Sequence, residues 1–162
     1  MSTKSDNYVV NNFQYAKAAG LKYNMDPMVI LAQGAHESGW GTSGLATKSN
    51  NYFGITAGGS KNEYWDGNYY QAQNKYKLKF RVYKTPQDSF YDFARLISSK
   101  YKSAHAAGQD YKTYAQRIAY SPYISEANGD SREGYRSAII NLYERIIDTV
   151  KKKALTLRPL SL

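Results

Sequence analysis

A chain of 162 residues holds one compact domain with a buried core and leaves no room for a second of full size. Lysine and arginine outnumber aspartate and glutamate by 22 to 13, a net charge of +9, so the expected partners are polyanions: nucleic acid, anionic membranes or bacterial wall polymers. The absence of cysteine excludes a disulfide framework and thiolate chemistry, and no apolar run is long enough to span a bilayer.

The chain has 17 tyrosines. Tyrosine carries an apolar body and a polar tip, which suits a wet binding groove and a core edge equally. The start, MSTKSDNYVVNN, lacks the basic and apolar stretches of a secretory signal. A target outside the cytoplasm is therefore expected to be reached by another route, or as a piece of a larger protein.

The first helix is expected over residues 7–19, with Val10, Phe13 and Ala16 or Ala18 inward and Gly20 closing it. Asp26-Pro27 is a start signal: aspartate caps, and proline sits where its missing N–H costs nothing. Met28, Leu31, Ala32 and Ala35 follow at helical spacing, and the helix is expected to stop at Gly39. Gly41 and Gly44 predict a loop beyond it. Residues 63–83 change pattern, with Tyr76, Leu78, Phe80 and Val82 alternating and turn residues at Asp66-Gly67 and Asn74-Lys75, which predicts a small antiparallel element.

Helices then resume. Thr85, Pro86 and Asp88 form a start resembling a capping box, and Phe90, Phe93, Ala94 and Ile97 make the inner stripe. A short helix is expected over residues 111–119. A long final helix is expected from Asp130 or Ser131, with Tyr135, Ala138, Ile139, Leu142, Tyr143, Ile146 and Val150 on its apolar face. The order of helices, one β insertion and more helices predicts a mostly helical α+β domain over residues 1–150, with residues 151–162 a loose basic tail.

Glu37 stands out on this map. It lies beside the apolar stripe of the second helix, in the last turn, where burial and the negative end of the helix both disfavour a carboxylate; Trp40 is placed to lower the local polarity further. A glutamate kept protonated near neutral pH serves as a general acid. The competing reading is a solvated glutamate on a helix end. His36 points about 100° away on the helix and reads as a supporting or surface residue. With two histidines and no cysteine, neither a metal cluster nor a cofactor is expected.

The stretch MVILAQGAHESGWGTSGLATKSNNYFGI resembles the signature of the glucosaminidase domains of glycoside hydrolase family 73, found in bacterial autolysins, phage lysins and flagellar rod assembly proteins. The resemblance rests on Glu37-Ser38, on Gly39-Trp40-Gly41, on the run Asn50, Asn51, Tyr52, Phe53, Gly54, Ile55, and on the later KFRVYKTPQDSFYDFARLI. It covers about residues 13–147. It implies a lysozyme-like fold, a helical body with a small β lobe flanking a substrate groove. It also implies that Glu37 protonates the glycosidic oxygen.

A second acid is expected in the β lobe. Glu63 in KNEYWDG is the choice and Asp66 the runner-up, although Lys61 stands where the family has threonine. The sugar's own acetamido group is the alternative nucleophile. The resemblance nominates Tyr120 beside the acid, with Trp40, Phe53, Tyr123 and Tyr135 as further substrate-binding or bracing aromatics. It implies a monomeric hydrolase acting on peptidoglycan in the periplasm or outside the cell, cutting after N-acetylglucosamine, without nucleic acid or membrane insertion. A muramidase, a lytic transglycosylase and a non-catalytic wall-binding module remain alternatives.

Overall fold

Asp26 and Gly39 bound the helix around which the rest of the chain packs. In the computed structural model, which describes residues 3–126 and 129–155, this helix is α2 (Pro27–Ser38). The Asp26 side chain accepts from the Met28 N–H, and Gly39 takes the left-handed conformation that ends the helix. All residues from Met28 to Ala35 are buried. A helix buried on every side belongs at the centre of a domain.

α1 (Lys4–Tyr23) precedes it, starts on a Thr3 capping box and ends at a left-handed Asn24. It runs three residues further at each end, and one more at its C-terminus, than the apolar spacing predicts. Gly20 lies inside it, because the backbone of Met25 and the ring of Pro27 crowd the position where a Cβ would stand. Phe13 and Ala16 are buried as expected, but Val10 is 45% exposed. α1 is antiparallel to α2: Gly20 abuts Pro27, and the Tyr8 hydroxyl donates to the Leu31 carbonyl.

α3 (Gly44–Ser49) replaces the expected loop. Ser43 caps it by accepting from the Ala46 N–H, so Gly44 starts a helix instead of breaking one. β1 (Tyr69–Gln71) and β2 (Lys79–Arg81) form an antiparallel pair with Tyr70 opposite Phe80. Backbone bonds from Ala57 to Lys79 and from Arg81 to Ile55, with a bridge between Thr56 and Phe80, add the 55–57 segment along the other edge of β2. The lobe thus has a third, irregular strand that the alternation pattern does not reveal.

α4 (Pro86–Lys100) starts where Thr85 caps Asp88, and Phe90, Phe93, Ala94 and Ile97 are wholly buried. A short α5 (Lys102–His105) was not anticipated; α6 (Tyr111–Ala119) has the expected limits. α7 (Arg132–Lys152) is capped by Ser131 and buries Tyr135, Ile139, Ile146 and Val150. The tail begins later than expected: α7 reaches Lys152, and Leu155 still packs on the core. Residues 156–162 lie outside the described residues.

One buried carboxylate fastens the lobe to the helical body. Asp92, in the middle of α4, is fully buried and accepts from Arg81 Nη1 at 2.8 Å, Tyr83 Oη at 2.5 Å, Arg95 Nε at 2.9 Å and Asn62 Nδ2 at 3.0 Å. The Arg81 guanidinium also donates to the carbonyls of Thr56 and Gly58 and stacks 4.0 Å over the Trp65 ring. A buried charge survives only when it is paired and hydrogen-bonded in this way.

Candidate active site

The last turn of α2 delivers Glu37 to the seam between the helical body and the lobe. Gly39, Trp40 and Gly41 follow with φ of 56°, 59° and 77°, three consecutive left-handed residues. Two glycines adopt that conformation at little cost, which is why the chain can leave the helix so abruptly. Ser38 ties the bend: its hydroxyl donates to the Gly34 carbonyl and accepts from the Gly41 N–H.

The asparagine-rich segment builds the opposite wall. Asn51 is buried; its amide donates to the carbonyls of Ile55 and Arg81 and accepts from the N–H groups of Phe53 and Ile55. This curls the chain into a tight loop with Gly54 at φ 63°, so close to Glu37 that a Cβ there would stand 3.5 Å from Oε2. Phe53 turns inward at 1% exposure, stacked on Phe93 and edge-on to Phe90. It braces the loop from beneath and cannot reach a sugar, which corrects its nomination as a binding aromatic.

From the other side, Tyr135 in the first turns of α7 donates its hydroxyl to Glu37 Oε1 at 3.3 Å. Glu37 keeps contact with solvent, yet enough protein surrounds it that desolvation raises its carboxyl pKa to about 7. The Tyr135 hydrogen bond works against that rise, and the negative charge of Asp130 adds to it. Trp40 is not among the causes. It packs edge-on against Tyr8, with the Arg145 guanidinium 5.4 Å from its ring, and faces a separate recess of ≈ 440 Å³ lined by Asn7, Asn11 and Tyr52.

The other nominated residues divide. Tyr123 is half-buried, 6.3 Å from the Tyr135 ring, and burial followed by the charge of Glu37 pushes its hydroxyl pKa well up. Tyr120 is 50% exposed and donates its hydroxyl to Glu133, not to Glu37. His36 keeps surface exposure, with its ring edge-on to Tyr135 at 4.9 Å, and burial lowers its pKa.

The two candidate second acids do not meet Glu37. Glu63 is exposed and pairs at 3.7 Å with Lys22, near the C-terminus of α1. Lys22 lies two residues beyond Gly20, which abuts Pro27 at the opposite end of α2 from Glu37. Asp66 pairs with Lys84 at 3.7 Å and caps its own turn at Asn68. The acid whose charge reaches Glu37 is Asp130, just before the α7 cap, which the sequence reading passed over. The signal that could have found it is its place in an aspartate-serine start to the helix that bears Tyr135.

The glucosaminidase family model, described as mannosyl-glycoprotein endo-beta-N-acetylglucosaminidase, matches residues 13–148, a span that contains the whole of this site. The chain belongs to that family. Among curated relatives it is similar to the exo-glucosaminidase LytG of Bacillus subtilis, 32% identical over 134 residues, covering 76% of this chain and 46% of the relative. It is also similar to the peptidoglycan hydrolase FlgJ of Vibrio parahaemolyticus, 28% identical, covering 75% and 42%. The chain thus spans less than half the length of these relatives. The glycoside hydrolase domain of Salmonella typhimurium FlgJ superposes with a TM-score of 0.73 at 23% identity, covering 95% of this chain and 94% of that one, and shows the same lysozyme-like fold.

Proposed function

We propose that this chain is a peptidoglycan hydrolase that cuts glycan strands internally, at the β-1,4 bond after N-acetylglucosamine, with Glu37 as general acid. The observation that carries the reading is a glutamate with a carboxyl pKa of about 7, bonded to one tyrosine hydroxyl, at the seam between lobe and helical body. At neutral pH a large share of such carboxyls holds a proton, and each still donates it readily, which is the balance general acid catalysis needs. In the reaction the proton moves from Glu37 to the glycosidic oxygen while the bond to the anomeric carbon breaks.

Among the described residues the side chain of Glu37 has one hydrogen-bond partner, Tyr135, and Asp130 acts on it through its charge. Glu63, exposed and paired with Lys22, is assigned no role at the anomeric carbon in this reading. The substrate's acetamido oxygen attacks that carbon instead, and Asp130 assists from the α7 side. Tyr123 and Tyr135 line the acetamido pocket. The protein acts as a monomer on the cell wall, and a single domain does the work.

The test is product analysis. Purified peptidoglycan is digested, reduced with borohydride and read by mass spectrometry. Glucosaminitol ends on fragments of mixed length are the expected result. Muramitol ends or anhydro-muropeptides overturn the bond assignment, and release of single terminal units alone overturns the internal cut. Inhibition by a thiazoline analogue of the acetamido intermediate is expected; its absence removes the substrate-assisted step.

A further inference from the structure

Gln33 is a polar residue at 0% exposure in the middle of the apolar α2. A buried amide with unmet hydrogen bonds is costly, so its partners are informative. Its Nε2 donates to the Tyr135 hydroxyl oxygen at 3.0 Å, and its Oε1 accepts from the hydroxyl of Tyr114 on α6. Tyr114 is 3% exposed and has no other hydroxyl partner among the described residues. The chain of bonds therefore reads Tyr114 to Gln33 to Tyr135 to Glu37, through three packed helices.

Its direction is fixed by donor counting. A tyrosine hydroxyl has one hydrogen, whereas an amide offers hydrogens at nitrogen alone and acceptance at oxygen alone. Tyr114, buried with a single partner, must give its hydrogen to Gln33 Oε1. That turns Gln33 Nε2 toward Tyr135, which then accepts from the amide and has its one hydrogen free for Glu37. The reversed amide would leave the Tyr114 hydrogen without an acceptor and draw the Tyr135 hydrogen away from Glu37. The reversed state thus leaves a buried hydroxyl donor unpaired.

We propose that Gln33 and Tyr114 are positioning residues: they aim the hydroxyl hydrogen of Tyr135 at Glu37 Oε1 and so make Oε2, the oxygen beside Gly54 of the lobe, the atom that carries the transferable proton. With Oε1 occupied as an acceptor, the acid proton sits on Oε2. On transfer the Oε2–H bond breaks, the proton joins the glycosidic oxygen, and that oxygen keeps the electron pair of its broken bond to carbon. Glu37 is left anionic, and the same Tyr135 hydrogen bond becomes charge-assisted and stronger. The relay thus selects the donating oxygen and steadies the carboxylate it leaves. The catalytic consequence rests on Glu37 being the acid; the aiming of the hydrogen does not.

The experiment reads the two separately. Glu37 is titrated by carbon NMR on protein labelled at glutamate carboxyls, and turnover of a soluble glycan strand is measured alongside, in wild type, Tyr114→Phe, Tyr135→Phe and the double variant. Tyr114→Phe lets the Gln33 amide reverse and pull the hydrogen off Glu37. The expected result is a higher Glu37 midpoint, an alkaline limb of activity displaced to higher pH and kcat down about tenfold, with KM little changed. In the Tyr135→Phe background Tyr114→Phe should then add nothing. An unmoved midpoint in folded Tyr114→Phe overturns the relay, as does an additive shift in the double variant. A moved midpoint with unchanged kcat supports the relay and instead removes Glu37 as the acid. If Tyr114→Phe does not fold, Gln33→Met with Tyr114→Phe takes its place: it leaves no amide to draw the Tyr135 hydrogen away, so the Glu37 midpoint should stay near the wild-type value while Tyr135→Phe raises it, and a rise as large as that of Tyr135→Phe overturns the relay.

Discussion

Two carboxylates organise this molecule, and they are treated in opposite ways. Asp92 receives four donors, two of them guanidinium groups, and is sealed in the body of the protein. Glu37 receives one hydroxyl and keeps an open side. Burial alone does not decide whether an acid serves structure or chemistry; the number of donors does. A buried carboxylate that accepts four hydrogen bonds on its two oxygens is held in place, so it anchors. A desolvated carboxyl with one donor holds its proton up to a pKa of about 7 and can give it away.

The largest expected effect separates the two by function. Glu37→Gln keeps the shape and removes the proton, so wall lysis should fall about 10²–10⁴-fold while the fold is unchanged. A variant that keeps more than about a tenth of wild-type turnover at matched stability would rule out the acid role. Asp92→Asn should act through stability instead. It leaves Arg81 charged and buried without its counter-ion, a loss of roughly 3–5 kcal/mol by chemical denaturation. An Asp92→Asn protein that unfolds at the wild-type midpoint would show that the lobe is held by something other than this cluster.

The contrast also has a pH signature. The Glu37 carboxyl titrates near 7 in the folded protein, above its ordinary 4.5, so the folded state binds the proton more tightly. Stability is then highest below the unfolded value, declines as pH rises from about 4.5 to about 7, and is flat above. Replacement by the neutral amide removes that decline. Glu37→Gln should therefore melt higher than wild type at pH 8 and at the same temperature at pH 4, a difference that scanning calorimetry reads directly. A constant offset across the range contradicts the raised pKa.

Smaller effects sharpen the electrostatics. Asp130→Asn removes a negative charge that raises the Glu37 pKa, so the alkaline limb of the activity profile should move to lower pH by a fraction of a unit. Movement upward would reverse the assigned sign. The smallest effect is expected at Glu63, which is exposed and paired with Lys22. Glu63→Gln should leave turnover within about twofold, in keeping with a surface ion pair worth less than about 1 kcal/mol. A large loss there would return Glu63 to the reaction and displace the acetamido mechanism.

Much of the fold was legible because helix ends are local chemistry. The caps at Asp26-Pro27, at Gly39, at Thr85-Pro86 and at the two ends of α6 each involve groups within a turn or so of one another, and the structure places α2 and α6 at the expected limits and starts α4 at Pro86. The same local logic misled at Gly44, read as a breaker when Ser43 makes it the first residue of a helix. It also missed the 55–57 edge of the lobe, whose pairing comes from β2, more than twenty residues away.

By itself the sequence determined the helix that carries Glu37, its stop at Gly39 and the family whose motif they form, since each is written in a contiguous run. What faces Glu37 was decided by tertiary structure alone. Tyr135 lies 98 residues further along the chain, and Tyr114 lies 81 residues from the Gln33 it pairs with. Glu63, nearer in sequence and expected as the partner, instead pairs with Lys22 at the C-terminal end of α1. Spacing along a chain fixes what neighbours do within a turn or two of helix; which side chains converge on a carboxyl depends on how α2, α6 and α7 pack, and that is set by the sum of many buried contacts and by no single motif.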